Sequence, residues 1–559
     1  MSDSRASSSA SRGLFDRIEA LGNALPDPAT LFVLGALLVM GLSQLAVTLD
    51  WSVERSVSQE VRIPIRGGDG APIVDPASGE ALTTVLLDPV TGQPRRELTL
   101  REVRPVSLLS TDGLYWALRS MVVSFVNFPP LGVVLVGMLG IGLAERAGLI
   151  GALLKAVMLA VPGWLLTPTM VFVGVMSSMG LDAGYVVLPP VAAALYQAVG
   201  RSPLVGLAAV FSGVSAGFGA NLLVTSLDPL LAGLSSEGAQ LLDPGYRVAA
   251  TANLWFMIAS TVLLTGVGWA VTAYWVEPRF DRKSVDQGGP APRSSTLRAS
   301  HTLSRGELRG LWHALVSLAI GVAILGAARF VPGAPLDGLD GPFPRWVSAI
   351  VPLIFLGFLV PGLTYGISTG TVRSDKDVAR MMSETMAGMG GYIVLAFFAA
   401  QFIAYFKYSG LGEMLAISGG QLLSHADLPP WLLMVAFIGV VVVANLFIGS
   451  MSAKYAFFAP VFVPMFMQVQ ISPELTQLAY RIGDSVSNVI TPLNPYMVII
   501  LVFMRRYVAR SGIGTLVTLM LPYTLAFAVA WSLLLVGWIW TGFELGPEGP
   551  LTYAAPGTR

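Results

Sequence analysis

Residues 430–470 read PWLLMVAFIGVVVVANLFIGSMSAKYAFFAPVFVPMFMQVQ. A helix needs about 20 apolar residues to cross roughly 30 Å of hydrocarbon, so this run is long enough to enter a bilayer and leave it again. Its middle, 449–452, is broken by small and polar residues. A second stretch, 152–199, has the same character and breaks at 177–182. Irregular backbone at membrane depth is tolerated only where it is buried in protein or lines a wet cavity. Each stretch therefore reads as a re-entrant hairpin whose tip is a candidate site wall; the alternative is a pair of ordinary spans joined by a short loop.

The rest of the chain agrees with a membrane setting. Of 559 residues, 54% are hydrophobic and 12% charged, and the mean hydropathy is +0.68, which leaves too little polar surface to cover a water-soluble globule. Apolar runs predict nine crossings of an all-α integral membrane protein, near 28–50, 114–145, 204–226, 247–277, 309–331, 345–364, 387–408, 475–505 and 512–541. The cationic groups are Arg5, Arg12 and Arg17; Arg279, Arg282, Lys283, Arg293, Arg298, Arg305 and Arg309; Arg373, Lys376 and Arg380; and Arg505, Arg506 and Arg510. All four fall on the cytoplasmic side if there are nine crossings and neither hairpin crosses. That agreement favours the hairpins and puts the C-terminus outside.

The chain then divides into a disordered cytoplasmic N-terminus at 1–27, with no cleavable signal peptide, and a first transporter half at 28–277 that includes an extracytoplasmic loop at 51–112. A flexible cytoplasmic linker at 278–308, a second half at 309–543 and a tail at 544–559 follow. Alternating residues at 98–103 and the turn-like Asp88-Pro-Val-Thr-Gly-Gln-Pro predict a small β-hairpin in the loop. Basic and acidic residues number 34 each, so charge gives no sign of a nucleic-acid partner. Cysteine is absent, which removes disulfides and thiol nucleophiles, and His301, His313 and His425 are scattered, which argues against a metal cluster. No convergent Ser/His or His/Asp/Glu set points to an enzyme.

The chain also repeats itself. A shift of 270 residues places Asp182-Ala-Gly-Tyr185 on Ser452-Ala-Lys-Tyr455 and Pro190 on Pro460. Slightly further on, Asn221 faces Asn488, and Thr225-Ser-Leu-Asp-Pro229 faces Thr491-Pro-Leu-Asn-Pro495. The charge rule sends 204–226 and 475–505 across in opposite directions, so the halves form an inverted repeat with one hairpin entering from each face. Such a pair of broken segments points to a substrate site near the bilayer midplane, where unwound backbone and half-helix termini hold ions and anionic groups.

Asp182, Lys454, Arg481 and Asp484 are ionisable residues in or beside apolar segments, where a charge costs several kcal/mol unless it is paired or wet. Arg481 and Asp484, three apart, suit an intrahelical ion pair. Alternatively, Arg481 grips a substrate carboxylate with its planar fork, and Asp484 takes a coupling proton or cation. Asn221, Asn445, Ser452, Ser487, Asn488, Thr491 and Asn494 offer neutral ligands, a role they share with ordinary hydrogen-bond glue between helices. Tyr455 either stacks on an aromatic ring or packs with its hydroxyl satisfied.

Three motifs carry a specific likeness: Tyr480-Arg-Ile-Gly-Asp-Ser-Val-Ser-Asn-Val-Ile-Thr-Pro-Leu-Asn-Pro495, Ser452-Ala-Lys-Tyr-Ala-Phe-Phe-Ala-Pro460 and Gly219-Ala-Asn-Leu-Leu-Val-Thr-Ser-Leu-Asp-Pro229. They resemble the signatures of the AbgT family, the p-aminobenzoyl-glutamate transporters. The resemblance implies a homodimer of nine-span, two-hairpin subunits, related in fold to the divalent anion/sodium symporters and placed in the bacterial inner membrane. It also implies an aromatic carboxylate substrate, p-aminobenzoyl-glutamate or a sulfonamide antimetabolite, moved by alternating access with H⁺ or Na⁺ as coupling ion and no other cofactor. By motif, the family's functional positions fall on Asp182, Asn445, Ser452, Tyr455, Pro473, Arg481 and Asp484.

Combined with the residue reading, the expected substrate wall is Asn445, Ser452, Tyr455, Pro473, Arg481 and Asn488, and the expected coupling-ion site is Asp182, Asp484 and Asn221. In one place the chain departs from the resemblance, since the family's motif usually reads Ser-Ala-Lys-Trp and Tyr455 stands here in place of Trp. A phenol stacks more weakly but adds a hydrogen-bonding tip. A dicarboxylate/Na⁺ symporter is the alternative transport reading.

Overall fold

Seven of the nine expected crossings are apolar helical segments of membrane length in the computed structural model: Ala29–Thr48, Thr111–Arg146, Leu254–Phe280, Arg305–Phe330, Ile350–Thr369, Gly390–Tyr408 and Ile513–Thr541. The described residues are 28–60, 62–65, 73–74, 81–85, 96–160, 162–180, 183–290, 303–341, 343–491, 494 and 496–554. In chain order the helices are α1 (Pro28–Thr48), α2 (Thr111–Val126), α3 (Pro129–Arg146), α4 (Leu149–Ala160), α5 (Leu166–Met176), α6 (Ala183–Ala198), α7 (Pro203–Ala216), α8 (Leu227–Ala239), α9 (Leu254–Val271) and α10 (Arg305–Phe330). They continue with α11 (Ile350–Thr369), α12 (Asp375–Gly388), α13 (Gly390–Tyr408), α14 (Leu411–Ala426), α15 (Pro430–Asn445), α16 (Met451–Met467), α17 (Pro473–Asn488), α18 (Tyr496–Arg505) and α19 (Ile513–Thr541).

The remaining two expected crossings are not single helices. The run 204–226 is α7, a 3-10 turn at Gly217–Gly219 and an extended break before α8, and the run 475–505 is α17, a break and α18. Gly217 and Gly219 stand at the first break, where glycine weakens the i to i−4 ladder, so an apolar run that looks continuous unwinds there.

Both anticipated hairpins double back. In the second, α15 and α16 lie side by side, with the Phe437 ring 4.8 Å from Phe462 and 5.3 Å from Phe466. Ser450 opens α16 by accepting the N–H of Ala453 at 3.4 Å, a hydroxyl cap of the kind helix starts favour. The first hairpin is shorter than 152–199. α4 is a separate helix that packs beside it, and the hairpin proper is α5, the 3-10 turn Ser177–Gly180 and α6. Its open ends are tied where the hydroxyls of Thr167 and Tyr196 sit 2.6 Å apart.

Packing follows the repeat. The series α3 to α9 corresponds in order to α13 to α19, with a hairpin, a broken pair and a long closing helix in each. The first arm of each hairpin packs on its own half's broken helix, α5 on α7 and α15 on α17. The second arm meets the other half, α16 against α8 and α6 against α18. The halves therefore interlock at their breaks. At the centre runs α17, all sixteen of whose residues are buried although the sequence PELTQLAYRIGDSVSN is half polar. Gly483 lets it approach α15, since a Cβ there would stand 2.7 Å from Val441 Cβ and 2.8 Å from the Ile438 carbonyl.

In the loop at 51–112, the strand expected at 98–103 exists as Arg96–Val103, but its antiparallel partner is Val53–Glu60, paired from Val53 with Val103 to Glu60 with Arg96. The expected turn at 88–94 lies outside the described residues.

Candidate functional site

α17 carries its polar side chains on a stripe that faces protein on every side, and two charge pairs hold it there. Arg481 Nη1 donates to Asp228 Oδ1 at 2.6 Å, reaching from the second half to the first turn of α8. Both residues are 1% exposed. Asp228 has other support, because its Oδ2 accepts the Thr225 N–H at 2.5 Å and the Thr225 hydroxyl at 2.9 Å. Arg481 is less well served: Nη2 reaches the Phe218 carbonyl at only 3.3 Å, and Nε is buried with no hydrogen-bond partner among the described residues.

One turn on, Asp484 Oδ1 lies 2.6 Å from Lys454 Nζ, with both side chains 0% exposed. Lys454 also donates to Asn445 Oδ1 at 2.5 Å and to the Ile448 carbonyl at 3.4 Å. Asn445 Nδ2 fans out to the Asp484 carbonyl at 3.1 Å, Ser487 Oγ at 2.8 Å and Asn488 Oδ1 at 3.0 Å. Asn488 Nδ2 donates to Asp484 Oδ2 at 2.9 Å, and Thr491 Oγ1 donates to the Asn445 carbonyl at 2.9 Å. Every charge in this cluster has an opposite charge within hydrogen-bond distance, the condition under which ions survive burial.

The intrahelical Arg481–Asp484 pair is therefore corrected. The two side chains share a helical face by spacing, yet each turns to a partner on another element, because burial makes a close counter-ion worth more than a loose i, i+3 contact. Of the expected wall, the structure brings Asn445 and Asn488 together beside Asp484, while Arg481 lies one turn back on α17 against Asp228. Ser452 sits half-buried at the second hairpin tip, 3.4 Å from the Ser450 hydroxyl.

Tyr455 is wholly buried and its hydroxyl takes part in neither charge pair. Its hydroxyl is 2.6 Å from Ser235 Oγ, its ring lies 4.4 Å from that of Tyr480, and Ser235 passes the chain on to Gln477 Oε1 at 2.8 Å. Pro473 is not at the cluster either: it is the first residue of α17, about 22 Å along the axis from Asn488 at 1.5 Å per residue. Asn221, in the first break, donates to Ser178 Oγ at 2.9 Å and accepts the Leu223 N–H at 3.1 Å, so it joins that break to the first hairpin tip. Asp182 lies outside the described residues.

Two charged groups at the centre had no partner assigned from sequence. Lys454 stood as an ionisable residue without one. Asp228 went unremarked within the repeated motif, although the repeat held a signal, since Asp228 faces the neutral Asn494 in an otherwise matching Thr-X-Leu-X-Pro. The second half's charges have uncharged counterparts in turn: the same alignment sets Lys454 against Gly184, Arg481 against Val214 and Asp484 against Gly217. The site is thus built asymmetrically on a symmetric frame, its cations supplied by one half.

A half-open cavity of about 520 Å³ lies elsewhere, between α4, α6, α10 and α11, lined by Lys155, Leu188, Glu307 and Tyr365 among others. The charge cluster itself is closed, as the burial of Arg481, Lys454 and Asp484 shows.

Comparison with known proteins adds the following. Residues 13–553 match the model of the "AbgT putative transporter family". The p-aminobenzoyl-glutamate transport protein of Escherichia coli K12 is 33% identical over 544 residues, 97% of this chain and 97% of that protein. Two solved structures superpose on it. The Alcanivorax borkumensis YdaH transporter, described as having an unusual topology, is 39% identical with a TM-score of 0.78 over 93% of this chain and all of its own. Neisseria gonorrhoeae MtrF, described as illuminating a class of antimetabolite efflux pumps, is 36% identical with a TM-score of 0.81 over 97% of this chain and all of its own.

Proposed function

This chain belongs to the AbgT family of transporters, a multi-pass membrane family, and from that premise we propose that it is a secondary active transporter of p-aminobenzoyl-glutamate or a related aromatic carboxylate or sulfonamide antimetabolite. Transport is coupled to H⁺ or Na⁺ and proceeds by alternating access. The observation that carries the reading is the pair of buried ion pairs, Arg481 with Asp228 and Lys454 with Asp484, set where interrupted helices from both halves meet. Interrupted helices free backbone groups for a ligand only where they face protein or a cavity. A guanidinium suits a carboxylate bidentately.

In this reading the two doubled-back segments are re-entrant from opposite faces, nine crossings result when α7–α8 and α17–α18 each count as one broken span, and the fold is kin to the divalent anion/sodium symporters. Segments 1–27 and 278–308 face the cytoplasm, and the protein works as a homodimer in the bacterial inner membrane. Arg481, Asn445, Asn488 and Ser452 form the substrate wall. Tyr455 and Pro473 support it through packing, while Asp182, Asp484 and Asn221 serve the coupling ion. The relatives' descriptions speak of p-aminobenzoyl-glutamate and antimetabolites, and no observation favours the dicarboxylate alternative.

The test is counterflow of labelled p-aminobenzoyl-glutamate in proteoliposomes with Na⁺ and pH gradients imposed separately. One of the two gradients is expected to drive accumulation. Flux that responds to neither would end the secondary-transport reading. Asp484→Asn is expected to abolish uphill accumulation in protein that remains monodisperse.

A further inference from the structure

Arg481 is already occupied by a carboxylate. Asp228 Oδ1 sits 2.6 Å from Nη1, and a second acid cannot take that same N–H. The pair is not equally dependent on its bond. Without Arg481, Asp228 keeps the Thr225 N–H and hydroxyl on Oδ2 and stays in the first turn of α8, where the helix dipole favours an anion. Without Asp228, Arg481 has a 3.3 Å contact to the Phe218 carbonyl and an Nε with no partner among the described residues. The cation is the under-satisfied member, so it gains more than Asp228 loses when a carboxylate that meets more of its N–H groups takes the place of Asp228.

We propose that Asp228 is the resident carboxylate of the substrate's own anion subsite: it neutralises Arg481 while the site is empty and yields the guanidinium when a substrate carboxylate arrives. This rests on the assignment of Arg481 to the substrate carboxylate made above. Among the described residues the cluster holds two cations, Lys454 and Arg481, and two anions, Asp228 and Asp484. A substrate carboxylate that replaces Asp228 on Arg481 adds one negative charge to that neutral set and leaves Asp228 without its counter-ion. Excess charge at this depth is costly, so the step that loads an anionic substrate is also the step at which a cation enters. Coupling then follows from exchange at one guanidinium and needs no separate sensor.

The test uses the full-length purified protein and p-aminobenzoyl-glutamate. Asp228→Asn removes the internal competitor and keeps the shape. It is expected to lower the apparent Tm of the empty protein and to tighten p-aminobenzoyl-glutamate binding by about tenfold, the scale of one charge-assisted hydrogen bond, while uphill transport is lost. Asp228→Glu, which keeps the charge, is expected to retain wild-type affinity within about threefold on the same scale. A purely structural Asp228 would give weaker or unchanged binding in folded Asp228→Asn protein, and that result overturns the proposal. If Asp228→Asn fails to fold, Asp228→Ser, whose hydroxyl still suits the turn at Thr225, carries the same expectation. Arg481→Gln separates the two ideas: unchanged binding there removes Arg481 from the substrate site, whatever the Asp228 variants do.

Discussion

Lys454→Met tests whether the closed cluster depends on charge compensation. The substitution keeps the unbranched stem out to the ε position and removes the ammonium, leaving the Asp484 carboxylate, at 0% exposure, with a single side-chain donor, Asn488 Nδ2 at 2.9 Å. Surface pairs are worth about 0–1 kcal/mol, whereas stranding one charge of a buried pair costs about 3–5 kcal/mol. Asp484→Asn strands the ammonium instead, but Lys454 keeps Asn445 Oδ1 and the Ile448 carbonyl and can shed its proton, so its loss belongs at the lower end of that range. The double variant Lys454→Met/Asp484→Asn is neutral and retains the link to Asn488. It is expected to lie closer to wild type than Lys454→Met alone, with a coupling energy of at least about 2 kcal/mol. The assay is equilibrium unfolding in mixed micelles, read by tryptophan fluorescence on all four proteins. If Lys454→Met loses less than about 1 kcal/mol, the value of an exposed pair, or if the double loss equals the sum of the singles, the two charges do not compensate one another and the reasoning fails.

Arg201 grips Glu277 through Nε at 2.5 Å and Nη2 at 2.6 Å and also reaches Thr167 Oγ1 at 2.8 Å, tying the open end of the first hairpin to the short helix Glu277–Phe280 that follows α9. Arg201→Ala is expected to cost about 1–3 kcal/mol, a charged hydrogen bond in a partly buried place, and to accelerate proteolysis near 163–203; an unchanged unfolding midpoint and cleavage pattern would show that the clamp contributes nothing. Tyr455→Phe strips one hydroxyl from the link to Ser235 and should lower stability by about 1–2 kcal/mol, with little change in substrate affinity if the ring only packs; a large affinity loss in stable protein would instead put the phenol at the substrate. Gly219→Ala drives a Cβ to 2.7 Å from Ser485 Oγ and 2.9 Å from the Trp531 ring, so the turn after α7 must shift against α17 and α19, at about 1–3 kcal/mol for overpacking, which the same unfolding assay reads. Asp377 is held below the ordinary carboxylate range, chiefly by the Arg373 N–H, so its support of the start of α12 is present above the unfolded pKa and is lost as pH falls through the folded one. Hydrogen-exchange protection there, corrected for intrinsic rates, should fall below about pH 4, and Asp377→Asn should remove that dependence.

The sequence by itself determined the membrane class, the two interrupted apolar segments and the repeat, because each is written in local composition: apolar runs set by bilayer thickness, breaks set by Gly and Pro, and motifs that recur at a fixed interval. It also marked Asn445, Arg481, Asp484 and Asn488 as unusual, since an ionisable or amide side chain in an apolar setting needs a reason. Two runs that read as continuous crossings, 204–226 and 475–505, are broken helices, because hydropathy averages over the few residues where the backbone unwinds. Tertiary structure alone decided which charge meets which. Arg481 and Asp484 are three residues apart, but their partners, Asp228 and Lys454, come from α8 and α16, separated in sequence from them by 253 residues in the first case and by a hairpin arm in the second. Tyr455 shows the same limit, its position beside the tip being plain from sequence and its partner, Ser235, only from packing. Spacing along one helix fixes the face a side chain occupies; in a buried polar cluster the lowest free energy goes to the nearest group of opposite charge, and what stands nearest is settled by how the two halves interlock.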